Sequence, residues 1–133
     1  MNIDALKLDD FKKEYLEQNL FKECIEGELA KREDRLKTKF HGVYLIINSD
    51  DEIFYVGSAF AKTFNISDRL RGQLNGDKTD SSFKNCLVKS KGISFDEAGE
   101  YAKKCKFIAI QCESFEYFLM DYISNLINRK GCH

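Results

Sequence analysis

Apolar residues recur at helical spacing over residues 8–38, where Phe11, Tyr15, Leu20, Phe21, Cys24, Ile25, Leu29 and Leu36 lie mostly three, four or seven apart. This pattern predicts one or two amphipathic helices, with Asp9 or Asp10 as a cap and Gly27 as a break between them. From Gly42 to Gly57 the period changes. Gly42 to Asn48 and Ile53 to Val56 are rich in β-branched and aromatic residues, and Ser49-Asp50-Asp51-Glu52 between them has the polarity of a hairpin loop. With Asn48 paired to Ile53, Ile46 faces Tyr55, and strand alternation puts Tyr44 on the same face as Ile46. Helical spacing returns from Asn65 or Ser67, either of which can cap a helix to about Leu74 with Asp68 in its first turn. Ser81-Ser82 open another through about Ser90, closed by Gly92, and Ser94 and Glu97 are spaced as the capping box of a third. Lys106 to Gln111, KFIAIQ, is an apolar run between polar flanks and predicts a third strand beside the hairpin.

The last segment carries an anomaly in its pattern. From about Ser114 to Ile127, Phe115, Phe118, Leu119, Tyr122, Ile123, Leu126 and Ile127 form a broad apolar stripe. At about 100° per residue Glu116 projects into that stripe, between Ile123 and Ile127. A carboxylate on a buried face calls for a cation, an arginine or a set of donors, because an unpaired buried charge is costly. The bland alternative is a stripe-edge glutamate that reaches solvent.

These elements predict an α/β (α+β) fold: a small three-stranded, mainly antiparallel sheet flanked by helices. The chain is read as one domain of 133 residues, with an N-terminal helical extension over 1–40 and a core over 41–130. Charge adds little at the global level, since 21 basic residues against 22 acidic ones leave a net charge of −1. Any nucleic acid must therefore be met by a local patch. One such patch is Lys31 to Lys39, KREDRLKTK, with five basic and two acidic residues. It reads either as a phosphate-contacting strip or as a solvated helix end. Five cysteines, odd in number and without a CxxC pair, suggest reduced thiols, and no apolar run reaches membrane-spanning length. The expected setting is cytoplasmic, away from membranes.

Two phenols on one hairpin face, flanked by Gly42 and Gly57, form a candidate site, although tyrosines in strands more often serve packing. The motif GVY, then YVG after a short spacer, resembles the GIY-YIG nucleases. So does the succession YVGSA, DRLRGQL, DSSFKNCLVKSKG and FEYFLM. That resemblance implies a metal-dependent endonuclease that hydrolyses DNA phosphodiester bonds with one Mg²⁺ or Mn²⁺. On it, Tyr44, Tyr55, Arg69 and Glu116 are the catalytic set, with Glu116 as the metal ligand. Tyr44 would accept or relay a proton as a phenolate favoured by nearby positive charge. Gly57, Gln73 and Asn128 would support the site, and Arg71, Lys84 and Lys89 would contact phosphates, the alternative for the two lysines being an exposed basic helix. Gln73 stands where many family members carry histidine or tyrosine, and the spacer before Arg69 is about a helical turn longer. The alternative is a non-catalytic protein of the same fold that binds nucleic acid or a protein partner. Sequence choice on DNA would come from the N-terminal helices, the loops, a homodimer or another chain.

Overall fold

Residues 23–111 are described by the structure, a computed structural model. The expected hairpin lies at one side of a four-stranded sheet. Its strands are β1 (Glu23–Glu28), β2 (Gly42–Ile47), β3 (Ile53–Ala59) and β4 (Lys106–Gln111), in the order β1-β4-β2-β3 with every neighbouring pair antiparallel. The mixed α/β class holds, but the sheet has four strands and not three. Four helices accompany it: α1 (Arg32–Leu36), α2 (Ile66–Asn75), α3 (Ser82–Lys91) and α4 (Phe95–Lys103).

The fourth strand comes from the segment expected to be helical. In Glu23–Glu28, ECIEGE, Ile25 and Gly27 are less exposed than Cys24, Glu26 and Glu28, which is a strand period and not a helical one. Pairing with β4 gives backbone partners to a strand that would otherwise be an open edge. Gly27 is not a helix break. It faces Phe107 across the pair, and a Cβ there would stand 2.9 Å from the Phe107 ring and 2.7 Å from Cβ of Asp34. Of the described residues between β1 and residue 40, Arg32–Leu36 is helical; residues 1–22, over which the helical extension was also expected, lie outside the described part.

β2 is buried along its whole length. Tyr44 and Ile46, with Tyr55, Phe107 and Ala109 from the neighbouring strands, form one core with Leu70 of α2, Phe83 and Leu87 of α3, and Ala98 and Ala102 of α4. Val43, Leu45, Ile47, Ile108 and Ile110 alternate with those residues and are also buried. Burial on both faces explains why β2 reads GVYLII, a continuous apolar run, instead of alternating. Ile46 faces Tyr55 as expected, but by another route. Ile47, not Asn48, pairs with Ile53, and a register shift after Ile46 leaves Phe54 as the extra residue of a bulge. Asn48 folds the turn, its Oδ1 accepting from the backbone N–H groups of Asp50 and Glu52.

The three longer helices begin where their caps predict. Asn65 and Asp68 form a reciprocal capping box on α2, Ser81 caps α3, and Ser94 and Glu97 form a box on α4. Among the described cysteines, Cys24 is exposed, Cys105 is a buried free thiol and Cys86 is disulfide-bonded, which corrects the expectation of reduced thiols throughout. No helix among the described residues is long and apolar enough to cross a membrane.

Candidate active site

Tyr44 lies opposite Gly57 in the β2–β3 ladder, and its ring covers the glycine so closely that a Cβ at Gly57 would stand 2.3 Å from the phenol oxygen. Strand alternation sends both phenols to the face covered by α2 and α3, where a polar chain joins them. Nε2 of Gln73 donates to the Tyr44 hydroxyl at 2.9 Å and to Oγ of Ser82 at 3.0 Å. Ser82 Oγ in turn shares a 2.5 Å hydrogen bond with the Tyr55 hydroxyl. The amide cannot be reversed without loss, because Gln73 Oε1 accepts the backbone N–H of Phe83 at 2.9 Å. Ser81 ties the same two helices together, its hydroxyl donating to the Gln73 carbonyl at 2.7 Å.

Electrostatics decides the state of Tyr44. Only 2% of the residue is exposed. Burial pushes its pKa well above the ordinary phenol value, the neighbouring Tyr55 adds to that, and the Gln73 hydrogen bond and the positive charge of Arg69 work against it. Burial prevails, so Tyr44 is a neutral phenol at neutral pH. The expected phenolate does not form within the described surroundings, although Arg69 is close enough to act on it. With one lone pair taken by Gln73, the Tyr44 O–H is left as a donor.

Beside this chain opens a groove of about 480 Å³, lined by Arg69, Arg71, Gln73, Ser82, Asp80 and Phe64 among others. The Arg69 guanidinium lies 5.6 Å from the centre of the Phe64 ring. Arg71 stands 3.7 Å from the Asp68 carboxylate. Although they stand two positions apart on α2, both arginines line the groove. Lys89 is exposed on α3. Lys84 is not the surface contact its place in the basic helix suggested. It is buried, its ammonium sits 4.6 Å from the centre of the Phe95 ring, and burial lowers its pKa. Glu116 and Asn128 lie outside the described residues.

No family model, curated protein or solved structure matches the chain. The site's chemistry must therefore speak through its donors. Among the described residues no group of three or more His, Cys, Asp or Glu side chains is placed to hold a metal ion. Of the groove's carboxylates, Asp68 already accepts the Asn65 N–H and faces Arg71. The described residues thus do not by themselves make a cation site. What they offer an anion in the groove is the Ser82 hydroxyl beside Arg69 and Arg71, with the buried Tyr44 and Tyr55 behind it in the same hydrogen-bonded chain.

Ser82 is the member that sequence reasoning did not assign to the site. Its signal was the Ser81-Ser82 doublet at a helix start, where one hydroxyl serves as the cap and leaves the other for another use.

Proposed function

We propose that the groove is a phosphodiester-hydrolysing site of the GIY-YIG type acting on DNA, and that the sheet with α2, α3 and α4 is a GIY-YIG-like core. The observation that supports this reading most is the chain Tyr44–Gln73–Ser82–Tyr55, which links the two motif tyrosines to a groove walled by Arg69. An accidental motif in an interaction domain gives no reason for those residues to converge.

In this reading Arg69 donates to the non-bridging oxygens of the scissile phosphate and balances the charge that builds up in the transition state. Tyr44 serves as a neutral donor that orients the phosphate or the attacking water, since burial keeps its proton in place. Gln73 cannot take a proton from water, but it holds both Tyr44 and Ser82 in register. Ser82, which lines the groove and is held by Tyr55, can take the proton of the attacking water as it hands its own to the departing oxygen, so that the relay ends with its hydroxyl restored. The proposal includes one Mg²⁺ or Mn²⁺ ion on Glu116, a hard cation suited to oxygen ligands.

One observation favours a second reading, a binding protein that has kept the fold without catalysis: neither the neutral Tyr44 nor Gln73 is a base at neutral pH. Incubation of supercoiled plasmid with Mg²⁺ or Mn²⁺ separates the two. The nuclease reading expects nicking that EDTA and Glu116→Ala both abolish. Folded wild type that leaves DNA and RNA intact would establish the binding reading in its place.

A further inference from the structure

The basic run over residues 31–39 separates into two sets. Lys31 is committed to Glu28 at 2.6 Å and Lys37 faces Asp34 at 3.9 Å. Arg32, Arg35 and Lys39 instead gather with Arg71 around a cleft of about 240 Å³. Its one carboxylate, Asp68, is already engaged by Arg71 and by the Asn65 N–H. Arg35 is fixed there, only 8% exposed, with Nη1 donating to the Leu29 carbonyl at 2.7 Å. Its pKa is lowered first by burial and then by the positive charges of Arg32 and Arg71. Among the described residues these cations are brought together without matching acids, at a cost that an anion would relieve.

The cleft is not isolated, because Asp68 and Arg71 line both it and the groove. A ligand crossing from one to the other must carry anionic groups at short, regular intervals. A nucleic-acid strand does so, with one phosphate per roughly 3.4 Å of helix axis, and arginine is suited to phosphate by its forked donors. We propose that the Arg32–Arg35–Lys39–Arg71 cleft holds a backbone phosphate of the strand that runs through the groove, an assignment to nucleic acid that rests on the phosphodiester reading of that groove. The short helix α1 then acts as a clamp on the substrate flank, and the segment before the hairpin becomes part of the interface.

Arg32 and Lys39 are exposed, so their replacement leaves the core intact, whereas Arg35 holds the chain and is left in place. The test is fluorescence anisotropy of a labelled DNA duplex in EDTA, where nothing is cut, across a NaCl titration. Wild type, Arg32→Gln/Lys39→Gln and the charge-matched control Lys31→Gln/Lys37→Gln, whose lysines are exposed and do not line the cleft, are compared after matching urea midpoints confirm folding. Arg32→Gln/Lys39→Gln should flatten the slope of log K against log salt by about 1, since the cleft holds one phosphate and each lost phosphate contact removes about one unit. Lys31→Gln/Lys37→Gln should keep the wild-type slope. An unchanged slope in Arg32→Gln/Lys39→Gln overturns the proposal, as does poly-glutamate displacing the duplex as well as unlabelled DNA does at equal charge. Nicking is read separately. Absent nicking with the expected slope change sinks the nuclease reading and keeps the cleft, whereas nicking with an unchanged slope does the reverse.

Discussion

A methyl carbon on Gly57 would sit 2.3 Å from the Tyr44 hydroxyl oxygen and equally close to the ring carbon that bears it. Tyr44 is packed beneath α2 and held by Gln73, so it cannot swing aside without breaking that hydrogen bond. Gly57→Ala should therefore destabilise the fold by about 1–3 kcal/mol, as overpacking does, and remove whatever activity the site has. Urea denaturation beside an activity assay checks both. The pH dependence of Tyr44 follows from its burial. Unfolded tyrosine titrates near pH 10, and the folded residue is raised above that, so native protein keeps a proton that unfolded protein has lost. Stability from this group is complete below about pH 10 and falls as pH rises beyond it. Tyr44→Phe lacks this titration. Its urea midpoint should decline less than that of wild type between about pH 10 and 11, and parallel declines would show that Tyr44 is not buried as described.

Among the elements, α2 contributes most to the proposed site, since Arg69 and Gln73 both lie on it and line the groove. Its start depends on Asn65, whose side chain accepts the Asp68 N–H at 2.9 Å while Asp68 returns a bond to the Asn65 N–H at 3.1 Å. Asn65→Ala should cost about 1 kcal/mol, visible as a lower thermal midpoint, and should weaken activity through Arg69 more than it weakens the core. That cap was legible in the sequence, as were those at Ser81 and Ser94, because capping is decided by residues three positions apart. The strand Lys106–Gln111 was legible from its apolar run. β1 was not, because ECIEGE contains three glutamates, good helix formers, and its strand state is imposed by pairing with a segment some eighty residues away. The two tyrosines could be placed on one face from strand alternation alone. Their link through Gln73 and Ser82 could not, since it depends on how α2 and α3 meet above the sheet.

Over the whole molecule, a net charge of −1 conceals an uneven distribution. Arg69 and Arg71 wall the groove, and Arg32, Arg35 and Lys39 extend positive charge from it, while Lys31 and Lys37 pair with acids. Composition records only the sum, so the patch was visible as a run in the sequence but not as a cleft. The buried Lys84 and the free thiol of Cys105, pushed up to about 12 by burial, belong to the packing of α3 and α4 and not to this surface. Cys105 should resist alkylation in the native protein while the exposed Cys24 reacts, an order that peptide mapping after brief iodoacetamide treatment would reveal.

If Arg69 acts on a phosphate held beside the Tyr44–Tyr55 network, single-turnover nicking of supercoiled plasmid at saturating enzyme will show it. Arg69→Ala should lower the cleavage rate about 100-fold or more, as loss of a transition-state donor does, while Arg71→Ala should weaken binding and leave the saturated rate within a few fold of wild type. Cutting by Arg69→Ala at the wild-type rate would rule this role out.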